Sequence, residues 1–390
     1  MRSVTKVVAA AVTFFSAVSS SRAASSSRIS FDEIENIFAF GDSYSTVGYD
    51  PSEGLLDLPL LGGTTSGGLN CIEYLALSSP LTNNAYFDFA QSGATVDNSI
   101  LCAAGDFPPS FVEQVDTFKE YFVPTPEEVG WTGENALFSV FFGINDMGYT
   151  GLQNLNATDL IPRITASWSR LVSSLYDSGA RKFLIMAVPP TEKTPYIRSF
   201  GKSTIETFVE NLANWRSAID SAVDKLETKY PDASFARFNT SGVFDAVLAD
   251  PKANGFTVSD RSSTECWNSH DPERVCAGVP RREYVWNDDY HPTFAVHKIL
   301  AEAVADFLSD DILPSSSLSS SYAPSSTPSS SSTASTASPS PLPLSISETR
   351  RYRRTYRRRP AHRHSRPSRA HEVVSLSGEV AEMRKRWAGL

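Results

Sequence analysis

Eight residues, Phe38-Ala39-Phe40-Gly41-Asp42-Ser43-Tyr44-Ser45, break an apolar run at an abrupt Gly-Asp-Ser. Gly, Asp and Ser are common turn residues after a strand, so the triplet alone decides little. A serine there becomes a nucleophile only where a base takes its proton. The body of the chain offers His270, His291 and His297. His291 lies in Val-Trp-Asn-Asp-Asp-Tyr-His-Pro-Thr, with Asp288 three residues before it. On a turn, that spacing lets the Asp288 carboxylate reach Nδ1 while Nε2 faces outward to accept the serine proton. Asp289 is the competing orienter, but two residues of separation suit the geometry less well. His297 falls one turn into a helical pattern, where a surface or structural role is expected. His270 is a loop residue between Cys266 and Cys276.

Attack on an ester also requires donors for the developing oxyanion. The candidates are the backbone N–H of Ser43, the N–H of Gly93 in Gln91-Ser92-Gly93-Ala94-Thr95, and the side-chain amide of Asn145 in Gly143-Ile144-Asn145-Asp146. A glycine at 93 has no Cβ to hold the backbone away from the reacting carbon. Tyr44 adjoins Ser43, and Trp267 and Trp286 flank His291 in loops; all three are candidate substrate contacts. The nucleophile motif is not GxSxG, and no CxxC or HExxH spacing points to a metal, so no cofactor is expected.

These turns act together only if a fold gathers them. Five short runs rich in aromatic and β-branched residues, Asn36–Phe40, Tyr86–Phe89, Leu137–Phe142, Lys182–Val188 and Ser234–Phe238, read as strands. Between and after them lie helical patterns. Ile161, Ile164, Trp168, Leu171 and Leu175 mark one apolar face. Ile205, Phe208, Leu212, Trp215, Ile219, Val223 and Leu226 mark a second. Val296, Ile299, Leu300, Ala303, Val304 and Phe307 mark a third. Alternating strands and helices predict an α/β fold with a parallel sheet covered on both faces. Ligands of such sheets bind beyond the carboxyl ends of the strands, which places the three turns along one edge.

The wider chain sets the context. Its 390 residues are 41% hydrophobic and 20% charged, ordinary for a globular protein. Residues 1–23 have a basic start at Arg2 and Lys6, an apolar stretch from Val7 to Val18, and small residues up to Ala23. That pattern predicts a secretory signal peptide and an extracellular protein. Four cysteines fit an oxidising compartment, and their clustering favours the pairs Cys71–Cys102 and Cys266–Cys276. Asn156 and Asn239 head glycosylation acceptor triplets. The folded domain is expected over residues 31–313. A Ser/Thr/Pro-rich linker, too poor in apolar residues to fold, is expected over 314–345. Residues 346–390 form a basic tail with 13 Arg/Lys against 4 Asp/Glu, although the whole chain has a net charge of −9. The tail suits attachment to an anionic cell-wall or membrane surface, or cutting at Arg353-Arg354 and Arg357-Arg358-Arg359; a secreted chain is not expected to meet nucleic acid.

In order and spacing, Gly41-Asp42-Ser43, Gly93, Gly143-x-Asn145-Asp146 and Asp288-x-x-His291 resemble the four blocks of the SGNH (GDSL) esterases and lipases, across about residues 31–313. The resemblance implies a flavodoxin-like three-layer α/β/α sandwich with a five-stranded parallel sheet. It also implies a Ser43/His291/Asp288 triad, oxyanion donors at Ser43, Gly93 and Asn145, and no metal. More narrowly, "GGTTSGGLNCIEYLAL", "FAQSGATVDN", "FFGINDMG", "VPPTEKTP" and "WNDDYHPT" resemble secreted fungal acetylesterases of carbohydrate esterase family sixteen. This likeness implies acetyl groups on xylan-derived oligosaccharides as substrate. Cys71 is a departure, since the resemblance implies an aromatic residue after Gly-Gly-Leu-Asn. The rival readings are a lipase or lysophospholipase acting on longer acyl esters, and a non-catalytic module that binds surfaces. With a histidine base, activity is expected to fall in acid.

Overall fold

The computed structural model describes residues 29–78, 85–101, 107–263 and 275–309. Runs apolar on both faces make strands that must be covered on both sides. Five of them form the central sheet: β1 (Asn36–Gly41), β2 (Ala85–Asp88), β3 (Ala136–Phe141), β4 (Lys182–Met186) and β5 (Ser234–Phe238). Their spatial order is β2-β1-β3-β4-β5, and every pairing is parallel. All five expected strands are present. β4 ends two residues early, just ahead of Pro189 and Pro190, which have no N–H to continue a ladder.

Nine helices are seen among the described residues: α1 (Cys71–Ser78), α2 (Asn98–Leu101), α3 (Phe111–Phe122), α4 (Ile144–Leu152), α5 (Ala157–Asp177), α6 (Pro195–Arg198), α7 (Lys202–Lys229), α8 (Thr240–Ala249) and α9 (Phe294–Ser309). Helices α3, α4, α5 and α7 pack on one another as one layer, while α1, α8 and α9 form the other. The architecture is the three-layer α/β/α sandwich. Its core is dense in aromatic rings. Phe38 of β1 touches Phe87, Phe118, Phe122, Trp131 and Phe138, with centroid separations from 5.0 to 5.5 Å. Trp168 and Trp215 are buried in this core, as their helical spacing predicts. Phe307 differs: it is 40% exposed, with its ring edge-on to Phe238 of β5.

Two further strand pairs support the histidine loop. β6 (Val258–Ser262) runs parallel to β9 (Tyr284–Trp286), and β7 (Val275–Cys276) pairs with β8 (Val279–Pro280). The β6 segment, Val-Ser-Asp-Arg-Ser, lacks the apolar run that marks the central five.

The cysteine pairing needs correction. Cys71 is a free, buried thiol and forms no bridge to Cys102. It opens α1 facing α9, where its backbone N–H donates to Nδ1 of His297 at 3.2 Å, and burial pushes its thiol pKa up. Here the thiol acts as a small apolar filler. Cys276 is disulfide-bonded, with a partner outside the described residues. Cys102, Cys266, Trp267, His270, residues 1–23, the 314–345 linker and the 346–390 tail also lie outside them. Asn156 and Asn239 are exposed and cap α5 and α8 through their side-chain oxygens. No helix among the described residues is long and apolar enough to cross a membrane.

Candidate active site

β1 lies between β2 and β3, so the turns that follow these three strands are neighbours in space. The end of β1 is held from both sides. Gln114 of α3 donates through Nε2 to the Gly41 carbonyl at 2.8 Å and accepts the Gly41 N–H at 3.0 Å. A Cβ on Gly41 would sit 2.9 Å from the Phe141 carbonyl oxygen, so glycine permits the close approach to β3. Beyond it, the N–H groups of Ser45 and Thr46 donate to the Asp42 carbonyl, and Asp42 Oδ1 accepts the Tyr44 N–H. The chain thus turns sharply at Asp42 and presents Ser43 at the sheet edge.

The histidine arrives from the far end of the sequence. Asp288 Oδ1 accepts the N–H groups of Tyr290 and His291, each at 2.7 Å, which folds the loop around its carboxylate. His291 Nδ1 then lies 2.8 Å from Asp288 Oδ2 and 3.0 Å from Oδ1, and Nε2 lies 2.7 Å from Ser43 Oγ. All three side chains are buried. Asp289, the competing orienter, is turned away. Its carboxylate accepts from Ser262 Oγ at 2.6 Å and its carbonyl accepts the Tyr196 N–H at 2.8 Å.

Asn145 sits in the first turn of α4, which starts after Gly143 at φ +117°. A Cβ there would stand 2.3 Å from the Trp215 indole nitrogen, so the turn requires glycine. Asn145 Nδ2 donates to the Ala94 carbonyl at 2.9 Å, and Asp146 Oδ1 accepts the Val96 N–H at 3.0 Å. These two bonds join α4 to the loop that carries Gly93. A single recess is lined by Ser43, Ser92, Gly93, Asn145, Tyr196, Tyr290 and His291. The expected oxyanion candidates therefore lie around one small space.

Two of the expected substrate contacts are placed elsewhere. Tyr44 is buried, donates its hydroxyl to the Tyr290 carbonyl at 2.7 Å, and packs on Phe141, Phe244 and His291. Trp286 is buried in β9, stacks on Phe244, and donates its indole N–H to the Ser259 carbonyl at 3.1 Å. Proximity in sequence to Ser43 or His291 does not put either ring in the pocket wall. The aromatic wall is Tyr196 and Tyr290 instead, with ring centroids 6.0 Å apart. Tyr290 adjoins His291, a local signal that could have found it. Tyr196 carries no local signal, because only the topology brings the segment after β4 to the same edge.

Buried charge surrounds the site. Burial pushes the Asp42 carboxyl up to about 7, although the Tyr44 N–H and His291 pull it down. Burial also raises Asp146 to about 7. His297 is not a surface residue: it lies buried beneath the Tyr44 ring, and burial followed by the His291 charge lowers its pKa to about 3.

Residues 37–304 match the GDSL-like Lipase/Acylhydrolase family model. An acetylesterase of Thermothelomyces thermophilus is 30% identical over 277 residues, covering 69% of this chain and 87% of the relative. An acetylesterase of Hypocrea jecorina is 27% identical over 326 residues, covering 71% and 90%. Among solved structures, a catalytic mutant of an acetylxylan esterase from Geobacillus stearothermophilus aligns with a TM-score of 0.38 at 14% identity, over 70% of this chain and 94% of that one. With its Gly-Asp-Ser turn at the head of the matched region and Asp288-x-x-His291 near the end, this chain belongs to the GDSL-like lipase/acylhydrolase family.

Proposed function

We propose that the protein is a secreted serine esterase that removes short acyl groups, acetyl first among them, from carbohydrate esters. Membership of its family makes it a carboxylic ester hydrolase. The observation that carries the reading is the line from Asp288 through His291 to Ser43, with 2.8 and 2.7 Å contacts at the mouth of one recess. His291 Nε2 takes the Ser43 proton as Oγ attacks the ester carbonyl, and Asp288 holds the ring and stabilises the imidazolium. The oxyanion forms among Ser43 N–H, Gly93 N–H and the Asn145 amide. Such donors contribute about 3 to 4 kcal/mol each. His291 then protonates the departing alcohol and activates the water that cleaves the acyl-enzyme.

The acetylesterase relatives favour a short acyl group, acetyl, over the long chain that a lipase reading requires. Acetate release from acetylated xylo-oligosaccharides, with the Ser43→Ala variant alongside, tests the proposal. Release by the parent and near-background release by the variant is the expected result. Ser43-dependent cleavage of long acyl esters alone would move the substrate to lipids. Folded protein inert on every ester would favour the surface-binding reading.

A further inference from the structure

Arg281 carries a positive charge with none of its surface exposed, a state arginine almost never adopts without a paired anion. Among the described residues it has no such pair. Its Nε and Nη2 both donate to the neutral Asn287 Oδ1, the first at 3.0 Å, and Nη1 has no hydrogen-bond partner among them. The charge that acts on it is Asp288, which opposes the downward push of burial on the guanidinium pKa. The fold also clears space for the group. Gly67 stands at φ +71°, and a Cβ there would lie 1.7 Å from Nη2 and 2.1 Å from Cζ. A buried charge without a counter-ion is costly, and an apolar residue of similar volume usually fills such a place more stably. Packing alone does not account for Arg281.

Its partner Asn287 connects both halves of the site. Asn287 Nδ2 donates to the Thr65 carbonyl at 2.7 Å, and Thr65 Oγ1 donates to the Ser43 carbonyl at 2.5 Å. The Asn287 N–H donates to the His291 carbonyl at 2.8 Å. One guanidinium thus fixes the amide that spans the nucleophile turn, the histidine loop and the Thr64-Thr65-Ser66-Gly67-Gly68 segment.

We infer that Arg281 is a positioning residue: through Asn287 and Thr65 it sets the register of His291 against Ser43. The inference rests on the serine-esterase reading above.

The test uses the full chain, Arg281→Met, Arg281→Lys and Asn287→Asp, a small acetyl ester, and thermal melts. Arg281→Met should lose about tenfold or more in kcat with KM within about twofold. Its Tm should hold or rise. Arg281→Lys should recover part of kcat. Should the methionine variant not fold, Asn287→Asp keeps an acceptor for the guanidinium but removes the Nδ2 donor to Thr65, and should lower kcat in the same way. Parent-like kcat in the folded variants would overturn the inference. So would a loss of kcat that tracks a lower Tm with no recovery in Arg281→Lys, the signature of packing alone. A parent chain inert on esters, or an active Ser43→Ala variant, would instead sink the esterase reading itself.

Discussion

The Tyr44 hydroxyl donates to the Tyr290 carbonyl at 2.7 Å, so the residue after the nucleophile is bonded to the residue before the histidine. The bond runs beside the 2.7 Å contact between Ser43 and His291, and the Tyr44 ring lies 5.7 Å from the imidazole. Tyr44→Phe keeps the ring and leaves a buried carbonyl without its donor, at a cost of about 1 to 3 kcal/mol. We expect a lower Tm and a kcat reduced about three- to tenfold with KM little changed. Melts and steady-state kinetics check both, and full kcat in a destabilised variant would limit Tyr44 to stability.

Asp146 should make stability pH-dependent. Burial raises its pKa to about 7, against 3.8 for the ordinary carboxyl. Between those values the folded chain holds a proton that the unfolded chain has released. Stability from this group therefore declines as pH rises from about 4 to 7 and levels off above. The slope is at most about 1.4 kcal/mol for each pH step of one across that interval. Asp146→Asn keeps an acceptor for the Val96 N–H and removes the titration. Relative to the parent, it should be more stable at pH 8 than at pH 5 by differential melting. His297 has the opposite sign, since its lowered pKa costs stability as pH falls toward 3, and Asp42, also raised to about 7, has the same sign as Asp146, so the variant isolates the share of Asp146 alone. An unchanged Tm difference across that range would argue that Asp146 is ionised throughout.

Trp286 and Tyr196 should separate cleanly in kinetics. Trp286→Phe loses a buried indole donor and leaves a gap beside Phe244, a core defect of about 2 to 3 kcal/mol. Its KM for acetylated oligosaccharides should stay within about twofold of the parent, because the ring does not reach the recess. Tyr196→Ala removes part of the recess wall and should raise that KM several-fold, about five or more. A larger KM effect at Trp286 than at Tyr196 would place the alcohol on the other side of the site.

Legibility follows the range of the interactions. The five strands and three long helices are readable because their apolar residues repeat at local spacings. Ser43, Asp288 and His291 are readable because a turn, a three-residue offset and a resemblance to known blocks all lie within short stretches. Tyr196 is not, because its place depends on a β3-β4 pairing remote from β1. The role of Tyr44 is hidden because the direction of a side chain at a sharp turn depends on the final packing, here a bond across 246 positions. Cys71 misleads for a related reason: even cysteine counts suggest pairing but say nothing about which thiols meet. Arg281 has no local signature at all, and its burial becomes visible only beside Gly67.

Ser43 leaves a central strand and His291 comes just before the last described helix, 248 positions later. Closing so long a loop carries an entropy cost that the contacts at its ends must repay. On the serine-esterase reading, a ribosome-bound chain that has emerged only through β5 still lacks its base, because the Asn287–His291 loop and α9 follow in sequence. A chain cut short before His291 would then carry the serine without the histidine and stay silent.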